Sequence, residues 1–401
     1  MKRHIGPLML TLYGLGGIIG AGVFALTGEI VGTAGTLAPF AFLLAGIPAV
    51  LAALSYSSLA SALPEAGGEL SYVDEAFGAR ALNLFVLLAV FSTGILACAT
   101  LVTALSQLLA EMVPILPVVI GLGVLVLAAV ATAVGLSLSV WLVVILTVLE
   151  VGALLVFIVL GRADIAAYAS APPVSSLTDF SAWWPVIMGA SIAFFAFIGF
   201  EDMVNMAQEV KRPAQSFPVA ILAAFGMSLT LYVLLAIVAQ DALAGVEDSG
   251  FSKVDALAVI AREQGFLSPA VVRLIAVFSI ANGVLIQINM ASRLLLGAAQ
   301  RDVVPSMLGT LNPVTGTPLR ALTIVFGLLL VVFLVGTLQQ LAQLTSLLVL
   351  VLFVLVNLSL IVLLRRPGME LPLRLPLIIP VLGVISAGLL ILTSLAGLLG
   401  S

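Results

Sequence analysis

The sequence predicts an all-α integral membrane protein built as two inverted helical repeats, with the first and sixth spans interrupted. Three observations carry that expectation. Of 401 residues, 62% are hydrophobic and 8% charged, whereas a water-soluble domain carries roughly 25% charged residues. The apolar runs are continuous rather than alternating, which argues against a transmembrane β-barrel, and about 20 residues per span leave room for about eleven or twelve spans. The first and sixth runs, at matching positions of two groups of five, are both rich in small residues that break a helix, the sequence sign of an inverted-repeat secondary transporter.

The runs lie near 6–31, 36–62, 82–112, 117–136, 139–161, 183–206, 217–240, 268–298, 320–337, 340–364 and 376–398. The first has a basic start but is too long and too glycine-broken for a cleaved signal peptide, so it counts as a span. The loop at 162–181 divides a first repeat, about 6–161, from a second, about 183–364. An extra helix at about 376–398 completes one transmembrane domain over 1–401. With the N-terminus in the cytoplasm, Lys2, Arg3, Arg80, Lys211, Arg212, Arg293, Arg301, Arg320, Arg365, Arg366 and Arg374 lie inside, against Arg162, Lys253, Arg262 and Arg273 outside. That asymmetry follows the positive-inside rule and leaves the C-terminus extracytoplasmic, in a multi-pass protein of the cell membrane. Trp183 and Trp184 fall where an aromatic belt would anchor the sixth span.

Several chemistries are excluded. Cys98 is the only cysteine and His4 the only histidine, so neither a disulfide, a CxxC site nor a Ser-His-Asp triad can be assembled. A net charge of −4 without a basic stripe gives no nucleic-acid surface. No catalytic constellation, metal site or obligate cofactor is expected. Cys98 reads as a packing residue.

The stretch Gly14-Leu15-Gly16-Gly17-Ile18-Ile19-Gly20-Ala21-Gly22-Val23-Phe24 lies inside the first span. It fails as a dinucleotide fingerprint, because Ile19 stands at the third glycine position and no strand precedes it. Its glycines fall on every helix face within two turns. They read either as an unwound segment or as close helix packing, and unwinding is the preferred reading. A half-helix starting near Gly22 would then aim its positive end at a substrate carboxylate. The sixth span reads Ala193-Phe194-Phe195-Ala196-Phe197-Ile198-Gly199-Phe200-Glu201-Asp202. Carbonyls freed near Phe195 and Ile198 would accept from a substrate ammonium, and the two acids must face protein or water rather than lipid.

These residues resemble a known family. The run Gly-Ile-Ile-Gly-Ala-Gly-Val-Phe in the first span is similar to the signature of the amino acid–polyamine–organocation (APC) superfamily. So is Leu63-Pro64-Glu65-Ala66-Gly67-Gly68-Glu69-Leu70-Ser71-Tyr72. The runs Phe197-Ile198-Gly199-Phe200-Glu201 and Glu209-Val210-Lys211-Arg212-Pro213 resemble the ApcT-like and cationic amino acid transporter branch. Ala291-Ser292-Arg293, leading to Gln300-Arg301-Asp302-Val303-Val304-Pro305, resembles the end of that family's eighth span. The resemblance implies the LeuT-like fold, alternating access and amino-acid substrates. It implies that Ile18, Gly20, Ala21 and Gly22 face the substrate backbone, with Phe195, Ala196 and Ile198 opposite, and that Glu201 takes part in gating. It also implies that the segment from Glu65 to Ala81 forms part of an inner gate. No disulfide-linked accessory subunit is expected, because Cys98 is misplaced for one.

Two departures from the family stand out. Many relatives have twelve spans, and eleven are counted here. The ApcT-like proteins carry a lysine midway along the fifth span, where this chain has Glu150. An ionised carboxylate at mid-bilayer costs about 2.5–3.5 kcal/mol. Glu150 is therefore a candidate proton carrier, or else a permanently hydrogen-bonded acid. The resulting expectation is proton-coupled symport of a small or neutral amino acid through a lipid bilayer. Exchange of amino acids or amines without a proton, and a non-transporting sensor on the same scaffold, are the alternatives.

Overall fold

Backbone N–H and C=O groups find no partner in hydrocarbon, so an apolar run must satisfy them within itself, and the helix does so. The computed structural model describes residues 5–64, 68–134, 140–173, 180–206, 210–243, 256–265, 268–300 and 304–400. Glu65 to Gly67, Glu209, Lys253 and Arg301 to Val303 lie outside them, and of Gly20 and Ala21 only the helical backbone is described. The apolar runs become α1 (Pro7–Ala34), α2 (Ala38–Ala62), α4 (Arg80–Ala110), α5 (Pro117–Ala133) and α6 (Val140–Leu160) in the first group. In the second group they become α8 (Trp183–Ala193) with two following 3-10 turns, α9 (Pro213–Leu243), α11 (Pro269–Gln300), α12 (Leu319–Val335) and α13 (Leu338–Arg365), with α14 (Ile378–Gly400) added. Short helices α3 (Gly68–Phe77), α7 (Arg162–Ser170) and α10 (Ala256–Gln264) join them.

Among the described residues, eight helical stretches are long and apolar enough to cross a membrane, and α5 and α12 are apolar but shorter, at 17 residues each. The chain is a multi-pass, all-α membrane protein, as its composition predicts. Strand pairing among the described residues is confined to one parallel bridge, between Ile5 and Val210. Helix starts follow local chemistry. Proline opens α1 and α5, where a missing N–H costs nothing. A capping box opens α13: the Gln340 N–H donates to Thr337 Oγ1 while the Thr337 N–H donates to Gln340 Oε1, each at 3.3 Å.

The first span departs from the expectation of a break. Helix α1 runs without interruption from Pro7 to Ala34. The glycines are consumed by packing instead, each against a different neighbour. A Cβ at Gly14 would strike the Met203 side chain, one at Gly16 would strike Thr147 on α6, and one at Gly22 would fall on the Ala196 backbone. One at Gly17 would stand 3.2 Å from the Gly199 carbonyl oxygen. Helix α1 packs against α6, α8, α9 and α11, so it needs small residues on every face. Close backbone approach through small residues is how membrane helices associate.

Buried polar ties join α2, α13 and α14. Ser55 Oγ on α2 donates to Asn357 Oδ1 on α13 at 2.7 Å, and Asn357 Nδ2 donates to the Phe353 carbonyl at 2.7 Å. Gly383 on α14 makes room for the Asn357 amide, since a Cβ there would overlap it.

Candidate functional site

The sixth span breaks where the sequence predicts. Helix α8 tightens at Phe194 into a 3-10 turn, Phe194–Phe197, and the chain then extends at Ile198 (φ −71°, ψ 140°). Gly199 follows at φ 124°, a conformation that favours glycine. A second 3-10 stretch, Glu201–Met206, resumes the span. Two of the freed backbone groups are satisfied locally. The Ile198 N–H donates to the Phe195 carbonyl at 3.1 Å, so that carbonyl is already engaged. The Gly199 N–H donates to Glu201 Oε2 at 2.9 Å, which makes Glu201 the cap of the broken backbone.

Opposite this break stands α1, and Tyr232, midway along α9, joins the two. Its hydroxyl lies 2.8 Å from the Ile18 carbonyl oxygen and 2.9 Å from that of Ala196. One phenolic proton therefore serves two acceptors, one on each facing segment. The ring is fixed by Phe42 and Phe197, with centroids 5.5 and 5.4 Å away. Ile18, Phe195, Ala196 and Ile198 are all buried.

Glu150 on α6 is 3% exposed. Its carboxyl is hydrogen-bonded to the side chain of Ser279 on α11, while Oε2 is buried without a partner. A carboxyl with one bonded and one bare oxygen, deep in an apolar bundle, is an unfinished polar network, and such groups are costly to leave in that state.

A cavity of about 1360 Å³ runs from Ile198 toward the end of the bundle that carries α3. Tyr13, Ile198, Glu201 and Asp202 form one side, and Thr93, Gln287 and Arg293 the other. Glu69 on α3 lines it too, and accepts a hydrogen bond from Tyr56 Oη at 2.8 Å. Burial pushes the Glu69 carboxyl above its ordinary value, against the lowering effect of its hydrogen bonds. Tyr56 packs edge-on against Tyr72, Phe200 and Phe353, so α3 is tied through aromatic rings to the chain just beyond the break. A large concave site with a few convergent polar groups is what a small-molecule site requires. Glu201 lines the cavity; Glu150 is not among its lining residues.

A family model described as amino acid permease matches residues 5–399. The chain belongs to the amino acid permease family. Among its relatives, the branched-chain amino acid permease BcaP of Bacillus subtilis (strain 168) is 26% identical over 394 residues, covering 93% of this chain and 83% of its own. The chloroplastic cationic amino acid transporter 9 of Arabidopsis thaliana is 29% identical over 333 residues, covering 78% of this chain and 58% of its own. A methylthioribose transporter of the same Bacillus strain is 25% identical, covering 97% and 87%. The resemblance to the APC superfamily read from the motifs is thereby established, and the protein is a transporter by family rather than an enzyme.

One residue at the junction of α1 and the break was not singled out from the sequence. Tyr232 sits inside a long apolar run, and a polar tip in mid-span demands a partner, which is the signal that would have found it. Tyr232→Phe keeps the ring packing and removes the hydroxyl that bridges α1 and the break. Initial uptake in proteoliposomes is expected to fall about tenfold, the scale of one buried hydrogen bond. Uptake unchanged within twofold would show that the bridge is dispensable.

Proposed function

We propose that the permease is a secondary active transporter carrying a small or neutral amino acid together with a proton, on a LeuT-like pair of inverted repeats, about 6–161 and 183–364. In this reading the N-terminus is cytoplasmic, the C-terminus is extracytoplasmic, and the cavity faces the cytoplasm of a cell whose plasma membrane holds the protein. The observation that carries the proposal is the break at Ile198–Gly199, set against the glycine-rich turn of α1 and opening into the cavity.

The substrate zwitterion lies between the two segments. Phe195, Ala196 and Ile198 bound it on one side, and Ile18, Gly20, Ala21 and Gly22 face it on the other. Glycine costs a helix about 1 kcal/mol relative to alanine, so the turn at Gly20–Gly22 yields its N–H groups to a carboxylate at lower cost than an alanine turn would. Glu150 carries the proton, and Glu201 fixes the break and senses its closure. The printed names of the relatives span branched-chain amino acids, cationic amino acids and methylthioribose, so the test must span them as well.

Purified protein screened by thermal shift against amino acids, amines and methylthioribose is expected to be stabilised by a small neutral amino acid. A ligand at 100 times its Kd contributes about 2.7 kcal/mol by mass action. Uptake of that ligand into proteoliposomes should accelerate when the outer medium is acidified. Stabilisation by none of them, or net uptake that a pH gradient does not drive and that requires amino acid inside the vesicles, would overturn the reading in favour of a different cargo or of simple exchange.

A further inference from the structure

Helices α4 and α11 form the wall of the cavity across from the break, and they run antiparallel in close contact. A Cβ at Gly283 would stand 2.9 Å from the Leu101 side chain, and the Cys98 thiol donates to the Val284 carbonyl at 3.7 Å. A Cβ at Gly94 would stand 3.7 Å from that of Ala291 and 3.8 Å from Gln287 Oε1. This register sets Thr93 and Gln287 at one level, and both line the cavity. Their hydrogen-bonding capacity is left open in the same sense. The Thr93 hydroxyl proton is spent on the Ala89 carbonyl at 2.8 Å, so only its lone pairs remain. Gln287 Oε1 is buried with no partner. A buried acceptor without a donor is costly, and a ligand that supplies the donor removes that cost. Charge does not fill the gap. Glu201 and Asp202 line the opposite side, and Glu201 already caps the Gly199 N–H. Arg293 lies about 9 Å beyond Gln287 along α11, and Arg80 about 20 Å before Thr93 along α4. Val90, one turn before Thr93, and Met290, one turn after Gln287, flank the pair with apolar surface.

We propose that Gln287, with Thr93 beside it, selects the cargo by its side chain, and that the permease favours neutral amino acids ending in a hydroxyl or a carboxamide. The substrate's O–H or N–H donates to Gln287 Oε1, and a second N–H of a carboxamide donates to Thr93 Oγ1. An apolar side chain of the same shape leaves both acceptors unfilled and is rejected. A cationic side chain brings donors, but it also brings a charge to a stretch of wall that offers dipoles and no carboxylate. The inference deepens the transport reading above and rests on it, because the substrate's backbone must lie at the break for its side chain to reach this wall.

The test compares ligands of matched shape on the purified full-length protein. Thermal-shift titrations give a Kd for threonine and valine, and for asparagine and leucine. Threonine and asparagine are expected to bind at least about tenfold more tightly than their apolar counterparts, because a site built to bond a polar group rejects the analogue that lacks it. Gln287→Met keeps the unbranched stem and removes the amide. In that variant the threonine preference should shrink to within about threefold, with the valine Kd close to the parent's; a merely structural role would move both constants together and keep their ratio. Valine binding the parent as tightly as threonine would overturn the proposal, and so would a preference that survives intact in Gln287→Met. Lysine binding more tightly than threonine would overturn it as well, handing selection to Glu201 and Asp202. Should Gln287→Met fail to fold, the parent's own ratios still decide. Stabilisation by no amino acid at all would sink the transport reading and this inference with it, whereas equal binding of valine and threonine would sink this inference alone.

Discussion

Gly199→Ala is expected to abolish uptake while the protein still inserts and folds. Two effects act together. At φ 124° an L-residue is strained, a cost of about 1–3 kcal/mol. The added Cβ would also stand 2.6 Å from the Gly17 carbonyl carbon and oxygen, which are backbone atoms inside α1 and cannot move aside. The break would have to retreat from α1, parting the Ile18 and Ala196 carbonyls that Tyr232 holds together. Loss of more than 100-fold in uptake is the expected result, with substrate-induced thermal stabilisation lost in parallel. Gly22→Val should behave alike, because its side chain would fall on the Ala196 backbone. Gly152→Ala and Gly226→Ala are the controls, since a Cβ at either meets nothing within 4 Å. Near-normal uptake in Gly199→Ala would mean that the contact between α1 and the break carries no function.

The contrast between those glycines explains what could be read from the sequence. All eleven apolar runs read as spans are helical in the structure, and eight helical stretches among the described residues are long and apolar enough to cross a membrane, because continuous apolar runs leave the backbone no alternative in hydrocarbon. The sixth-span break was legible as well, since small residues there precede two acids that lipid would not accept. The first span was misread because one pattern serves two purposes. A helix enclosed by α6, α8, α9 and α11 needs small residues on all sides, and a helix about to unwind shows the same scatter. Periodicity cannot separate them, whereas the neighbours of each missing Cβ can. The Phe195 carbonyl was likewise expected to be free and is taken by the Ile198 N–H, a local 3-10 closure that depends on backbone angles and not on residue type. Tyr232 required knowing which helix lies across from the break, and that is tertiary information.

Glu150→Gln is the substitution that separates proton coupling from substrate handling. Glutamine has the shape of the protonated acid and can keep the hydrogen bond to Ser279, so α6 and α11 stay joined. What it cannot do is gain or lose a proton. If Glu150 is the carrier, uptake in the variant should no longer respond to an acidified outer medium. Counterflow at equal pH should persist within a few-fold, because the substrate contacts on α1 and the break are untouched. A mid-bilayer carboxylate left ionised costs about 2.5–3.5 kcal/mol on the insertion scale, and its second oxygen has no partner to offset this. The neutral variant is therefore also expected to be at least as stable to heating as the parent at high pH, where the parent's acid is most often charged. A pH profile identical to the parent's would remove Glu150 from the coupling role. The proton would then have to ride on another acid, with Glu201 and Asp202 beside the break and Glu69 on α3 among those that line the cavity, and Glu150 would be left as the hydrogen-bonded tie between α6 and α11.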